Sequence, residues 1–226
     1  PQRSAGPQHS AGPQRSAGPQ RSAGPQRSAG PQRAHWSRPV AAGVQLVGLD
    51  SRVGDDWNGV IDDVQMRWLR RELEAHDDDL VLLAVHHPLH NLTPLNRRGW
   101  WSNFVLDNGP EVEALLDQYS NVGLVLSGHH HANHIVQRGN GRLQVVTAPL
   151  GSYPCVWREI RLQRHGTTWA ARVETHSPAD EGTLKRAYDL LLAGKTASRY
   201  SPGHPEAWAA FVEGRPEDRT FEGLLA

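Results

Sequence analysis

Leu80-Val81-Leu82-Leu83-Ala84-Val85-His86-His87-Pro88 is the stretch that decides the architecture. Six apolar residues without polar alternation have the length of a strand and suit one buried on both faces, as in a sheet covered by helices. The run stops abruptly at two histidines and a proline. Further along, Val122-Gly123-Leu124-Val125-Leu126 repeats the pattern and stops at Ser127-Gly128-His129-His130-His131. In open α/β sheets ligands gather at the carboxyl ends of strands, where loops are free to specialise. Imidazole is a good ligand for zinc, iron or manganese. Gly128 removes side-chain bulk at the turn, and the spacing His129-x-His131 lets an extended turn point both rings to one side. With 13 histidines in 226 residues, either cluster alone is weak evidence. Two clusters, each ending a buried run, weigh considerably more.

Working outward, Val44–Leu49 reads as another mostly buried strand, running into Asp50. Asp62 or Asp63 can cap a helix to about His76, with Val64, Trp68, Leu69 and Leu73 on one side and charged residues mostly on the other. Pro110 can start a second helix through Tyr119. Strands are predicted at 143–148, 157–163 and 168–174, the last two as a hairpin around His165-Gly166. Helices are predicted at about 180–193 and 205–213. Strands alternating with helices call for an α/β fold, and the late hairpin adds an antiparallel portion.

The first 33 residues differ in kind. They repeat PQRSAG, with one PQHSAG, and contain no Val, Ile, Leu, Met or aromatic residue. A stacked β-helix needs an apolar residue inside each repeat, and collagen needs Gly at every third position. With nothing to offset its ordering entropy, residues 1–33 are predicted to be disordered with polyproline-II character. The formal net charge of zero conceals the same division. Five of the 24 basic residues and none of the 24 acidic ones fall in the repeat, leaving 19 basic against 24 acidic beyond it. An acidic body argues against a dedicated nucleic-acid surface. No apolar run reaches the roughly 18 residues of a membrane span, and no signal-peptide pattern is present. A single cysteine, Cys155, excludes an internal disulfide framework, so a cytoplasmic location is expected.

In the order of these motifs the sequence resembles the calcineurin-like metallophosphoesterase family. The matching text is Val47-Gly48-Leu49-Asp50-Ser51, Gly59, Gln65-x-x-Trp68-Leu69, the strand into His86-His87-Pro88, and the strand into Gly128-His129-His130-His131. It looks like the C-terminal half of the family domain, over roughly residues 35–152, and most like the cyclic-nucleotide phosphodiesterase branch. The resemblance implies a partial metallophosphoesterase β-sandwich flanked by helices (34–176), after the repeat tail (1–33) and before a helical C-terminal extension (177–226). It implies a hydrolase of phosphodiesters or phosphomonoesters that uses two transition-metal ions, Mn, Fe or Zn. His86 and His129 would bind the second metal, His131 the first, and His87 would lie near the substrate phosphate. His130 would point away from the ions, and His90 and His134 have no matching role. Asp50 is expected to hydrogen-bond the loop that follows it, and Cys155 to be structural. Trp100 and Trp101 would line a cleft or, more simply, pin the long loop.

The family's DxH, GDxxD and GNH motifs do not occur upstream of residue 35. Three histidines can hold one zinc with an open position, but a two-metal centre needs the bridging aspartate, so this chain alone is expected to hold at most one ion. No catalytic acid or base is identified. Removing half of a sandwich predicts exposed sheet edges and an uncovered apolar face. The chain starts at Pro, and 22 Arg accompany only two Lys; a truncated or miscalled GC-rich reading frame is therefore expected. The competing functions are a phosphoesterase active only with its other half, a non-catalytic remnant that binds one metal or a partner, and an interaction protein that works through its repeat.

Overall fold

The two apolar runs form neighbouring parallel strands in the computed structural model, which describes residues 34–225. The repeat expected to be disordered lies outside the described residues. In chain order the elements are β1 (Trp36–Ala41), β2 (Val44–Leu49), a small hairpin of β3 (Arg52–Val53) and β4 (Asp56–Gly59), and α1 (Asp63–Ala75). Then come β5 (Leu80–Val85), α2 (Gly109–Leu116), β6 (Val122–Ser127), β7 (His134–Gln137) and β8 (Leu143–Val146). The chain continues through β9 (Trp157–His165), β10 (Thr168–His176), α3 (Glu181–Ala193), α4 (Lys195–Tyr200), α5 (Glu206–Glu213) and β11 (Thr220–Leu224). Between β5 and α2 the long loop winds through two 3-10 turns, Pro94–Arg97 and Gly99–Phe104.

Six strands make the main sheet in the order β1-β2-β5-β6-β8-β7. The four central strands are parallel, and the edge strands β1 and β7 are antiparallel to their neighbours. Successive side chains along a strand point to opposite faces, which splits each apolar run between two layers. Val47, Leu49, Val81, Leu83, Val85 and Val125 pack with Leu69 and Leu73 of α1 and Val112, Leu115 and Leu116 of α2. On the other face, Leu80, Leu82, Leu124, Leu143 and Val145 meet Ala171 and Val173 of a second, three-stranded antiparallel sheet, β11-β10-β9. The layering is helix, sheet, sheet. Burying each Val or Leu contributes about 1.5–3 kcal/mol, so a face covered on both sides is strongly specified.

Some expectations shift. Asp62 caps α1 as predicted, its carboxylate accepting from the Gln65 N–H. Val64, however, is 55% exposed, and Gln65 takes the buried place beside Leu69 and Leu73. Gln65 exchanges two hydrogen bonds with the Asp50 backbone, at 2.8 and 2.9 Å, and so ties α1 to the end of β2. Periodicity places apolar residues on a face but cannot foresee a glutamine whose buried amide both accepts and donates. The second helix ends at Leu116 rather than Tyr119. The segment 177–226, expected to be a helical extension, also supplies β11, which pairs along β10 from Thr220 to Leu224. Pro39 and Arg38 on β1 blunt the edge of the main sheet. Among the described residues no helix is long and apolar enough to cross a membrane.

Candidate metal centre

Because β5 and β6 are parallel neighbours, their carboxyl ends deliver His86 and His129 to the same place. The Gly128 N–H donates to the His86 carbonyl at 3.0 Å and locks the two ends together. His129 Nδ1 and His86 Nε2 are 3.0 Å apart. The other His129 nitrogen, Nε2, lies 3.1 Å from the Asn103 carbonyl and must carry a proton to donate to it. Nδ1 of His129 is then the acceptor, and His86 Nε2–H is its donor. Burial first, then the neighbouring His87 and His86, push the His129 pKa down to about 3. His86 is also lowered, by burial and then by His131, and His131 is lowered by burial. Near neutral pH these imidazoles are uncharged, the form that binds metal without first releasing a proton.

His129 and His131 both have left-handed backbone, with φ of 53° and 57°. Such conformations cost non-glycine residues about 1–3 kcal/mol each and persist where the surroundings impose them. Gly128, by contrast, is not the residue in this region, and a Cβ added there would meet nothing closer than the Thr147 carbonyl at 3.9 Å. Between the two strained histidines, His130 is fully buried. His131 is exposed on the surface of the turn.

The His86–His129 pair fits a metal ion. With metal–nitrogen bonds of about 2.0–2.1 Å, two adjacent ligands of one ion sit about 3.0–3.4 Å apart. The observed separation lies at the short end of that range. His131 does not join them in a single group. Among the described residues, the one set of three or more His, Cys, Asp or Glu with all ligand atoms within 4.8 Å of one another is Glu159, Glu174 and His176. That set lies on β9 and β10, where Arg161 and Arg172 already hold its carboxylates at 2.8–3.0 Å. No carboxylate of the described residues forms such a group with the strand-end histidines. His86 and His129 thus offer two donor nitrogens to one ion.

His87 turns the other way from His86 and is 3% exposed. Its Nε2–H donates to the Trp57 carbonyl at 3.0 Å, and its Nδ1 accepts from the Ser51 hydroxyl at 2.7 Å. A Cβ at Gly59 would fall 2.4 Å from the His87 ring, so only glycine lets the β3–β4 hairpin close over it. Burial leads the lowering of the His87 pKa. Its ring centroid is 4.0 Å from that of His129. The sequence expectation was a contact with substrate phosphate; in this structure both ring nitrogens are engaged within the chain. Ser51, Gly59 and the Asn103 carbonyl are partners that sequence reading missed. A carbonyl carries no sequence signal, but Ser51 and Gly59 were already part of the motif text.

Beside His86 opens a cleft of about 340 Å³ lined by Trp36, Gly48, Ala84, Leu126 and Gly128. Gly48, Ala84 and Leu126 continue the sheet face that β9–β11 covers further down. Trp101, expected to pin the loop or line a cleft, is buried in an aromatic cluster with Phe104, Trp208 and Tyr200. Trp100 is partly exposed beneath the Arg199 guanidinium, 4.9 Å from its ring. Asp50 hydrogen-bonds the Arg52 N–H and side chain, Cys155 is buried, and His134 pairs with Asp218 at 2.9 Å.

No family model matches the chain. A 3',5'-cyclic-nucleotide phosphodiesterase of Nostoc sp. is 36% identical over 93 residues, 41% of this chain and 33% of that protein. The 3',5'-cyclic adenosine monophosphate phosphodiesterase CpdA of Escherichia coli is 29% identical over 150 residues, 60% of this chain and 51% of that protein. The chain thus spans a third to a half of the length of these curated relatives. A crystal structure of a dimetal phosphatase from Danio rerio superposes with a TM-score of 0.50 and 14% identity, over 65% of this chain and 58% of that one, a likeness of fold. With its motifs in family order and its histidines at adjacent strand ends, the chain is a relative of the calcineurin-like metallophosphoesterases.

Proposed function

We propose that this chain carries the histidine-bearing wall of a metal-dependent phosphoesterase, a hydrolase that adds water across a P–O bond of a phosphodiester or phosphomonoester. The observation that carries this reading is the His86–His129 pair, two neutral imidazoles 3.0 Å apart at the ends of adjacent parallel strands. His86 and His129 would hold one ion, and His131, on the same turn, would serve a second. A bound ion of this class lowers the pKa of a water ligand and polarises a phosphoryl oxygen. The chain's own residues orient that site. The Asn103 carbonyl fixes the His129 tautomer, and His87, held by Ser51 and Trp57, backs the His129 ring. We assign His87 this backing role, with phosphate contact following only if its hairpin opens. The printed names of the relatives make cyclic nucleotides the first substrates to test. The buried lone thiol fits the cytoplasmic setting that we include in this reading.

A second reading has its own support. Among the described residues no carboxylate joins a ligand-spaced group of three with His86, His129 or His131, so the chain by itself would be a single-ion module without turnover. Metal analysis and an aryl phosphodiester assay with added Mn²⁺ separate the two. The chain alone is expected to retain about one ion, lost in His129→Ala, with turnover appearing only when a carboxylate-bearing segment is supplied. If the wild-type chain retains no ion under any metal loading, the reading fails.

A further inference from the structure

The turn bearing His129 and His131 is held by more than the sheet from which it emerges. We propose that the C-terminal segment from α4 to Asp218 is the template for this turn, with His130 and Asn133 as positioning residues; this rests on reading His129 and His131 as metal ligands. The His130 ring enters the aromatic cluster of the C-terminal helices, with centroids 5.3 Å from Phe211, 6.3 Å from Trp208 and 5.3 Å from Phe104 of the long loop. Asn96 Nδ2 lies 3.1 Å from His130 Nε2, while the rest of its amide is spent on the Leu92, Thr93 and Trp101 backbone.

The far side of the turn is stapled as firmly. The last carbonyls of a helix have no partner within it, and Asn133 supplies them at α5. Its N–H donates to the Val212 carbonyl at 2.9 Å and its Nδ2 to the Glu213 carbonyl at 3.1 Å. Its Oδ1 accepts from the Ala148 N–H and from Arg158. Two residues beyond Asn133, the Ile135 N–H donates to Asp218 at 3.2 Å, and Asp218 also pairs with His134 at 2.9 Å. A buried ring at 130 and a stapled amide at 133 leave the backbone between them little choice. It reverses at 129 and again at 131, the two left-handed positions, which sets the His129 ring against His86 and leaves His131 exposed on the turn.

The test uses the full chain with Co²⁺ as probe and histidine-labelled NMR of the metal-free protein. His130→Ala and Asn133→Ala are expected to weaken Co²⁺ binding by about tenfold, the scale of lost support behind a ligand, and to shift the visible Co²⁺ bands. His130→Phe, which keeps a ring in the aromatic cluster, is expected to restore affinity to within about twofold. In metal-free protein the HN–Hα couplings of His129 and His131 should move away from left-handed values in both alanine variants. Folded alanine variants with wild-type couplings and wild-type Co²⁺ spectra overturn the proposal. If both fail to fold, Phe211→Leu carries the same two measurements with the same outcomes. If wild-type chain binds no Co²⁺, the ligand reading fails, and the metal-free couplings alone decide whether the segment sets the turn.

Discussion

The two histidine turns arise from the same motif, an apolar strand running into clustered imidazoles, yet they are supported in opposite ways. After β5, His86 faces outward and His87 inward, and His87 is gripped by Ser51 and Trp57 in and beside the hairpin that follows β2. After β6, His129 and His131 face outward and His130 inward, and His130 is gripped by helices near the end of the chain. The first turn keeps ordinary backbone; the second carries two left-handed residues. A buried histidine anchors each turn. What differs is the anchor's reach along the chain, and with it the strain that the turn can sustain.

The largest break in this comparison should come from Trp208→Ala. It empties the cluster behind His130, and loss of a buried Trp costs about 3–5 kcal/mol. Denaturant unfolding should show that loss, while His87 resonances stay in place; a parallel shift of His87 would mean that the turns are not separately supported. Next comes acid. His90, just past the first turn, lies 5.4 Å from His134 of the second. Burial, then the neighbouring His134, lower its pKa to about 4, from an ordinary value of 6.5. Because the folded pKa lies below the unfolded one, the unfolded chain binds the proton first. The stability is complete above pH 6.5 and is lost as pH falls toward 4, by up to about 3 kcal/mol. The difference between unfolding free energies at pH 7 and pH 4 should shrink in His90→Gln, with the remainder belonging to the other buried histidines, His129 and His130 first; an unchanged pH slope there would assign the whole loss to those groups.

Ser51→Ala should cost about 1–3 kcal/mol, because it leaves His87 Nδ1 buried without its donor. Here the readout is local: hydrogen exchange should rise in the β3–β4 hairpin and not in α5. The smallest effect is expected from Arg199→Ala, which removes the guanidinium above Trp100 for about 0.5–1 kcal/mol. A melting-temperature change larger than that of Ser51→Ala would give this contact a role beyond the surface.

Much of the main sheet was legible because its signals are local. Leu80–Val85 is an unbroken apolar run, Val44–Leu49 and Val122–Ser127 are mostly apolar, and Asp62 announces α1 by capping it. β1 and β11 were missed because Trp36–Ala41 and Thr220–Leu224 are mostly exposed edge or outer strands with no strong apolar pattern. They become strands only through the neighbours that pair with them. At the site, the histidines themselves could be picked out by their place at strand ends. The burial of His87 could not, since it lies beside an exposed histidine of the same chemistry; for His130 only the family resemblance implied a ring turned from the ions.

The sequence by itself determined the α/β class, the strand ends and which histidines gather there, because hydrophobic runs and caps act over a few residues. Only the tertiary structure decided how closely His86 meets His129, that His87 turns inward, and that the end of the chain braces the second turn. Those outcomes depend on which strands become neighbours and on which distant side chains fill the space behind each ring. No short window of sequence contains that information.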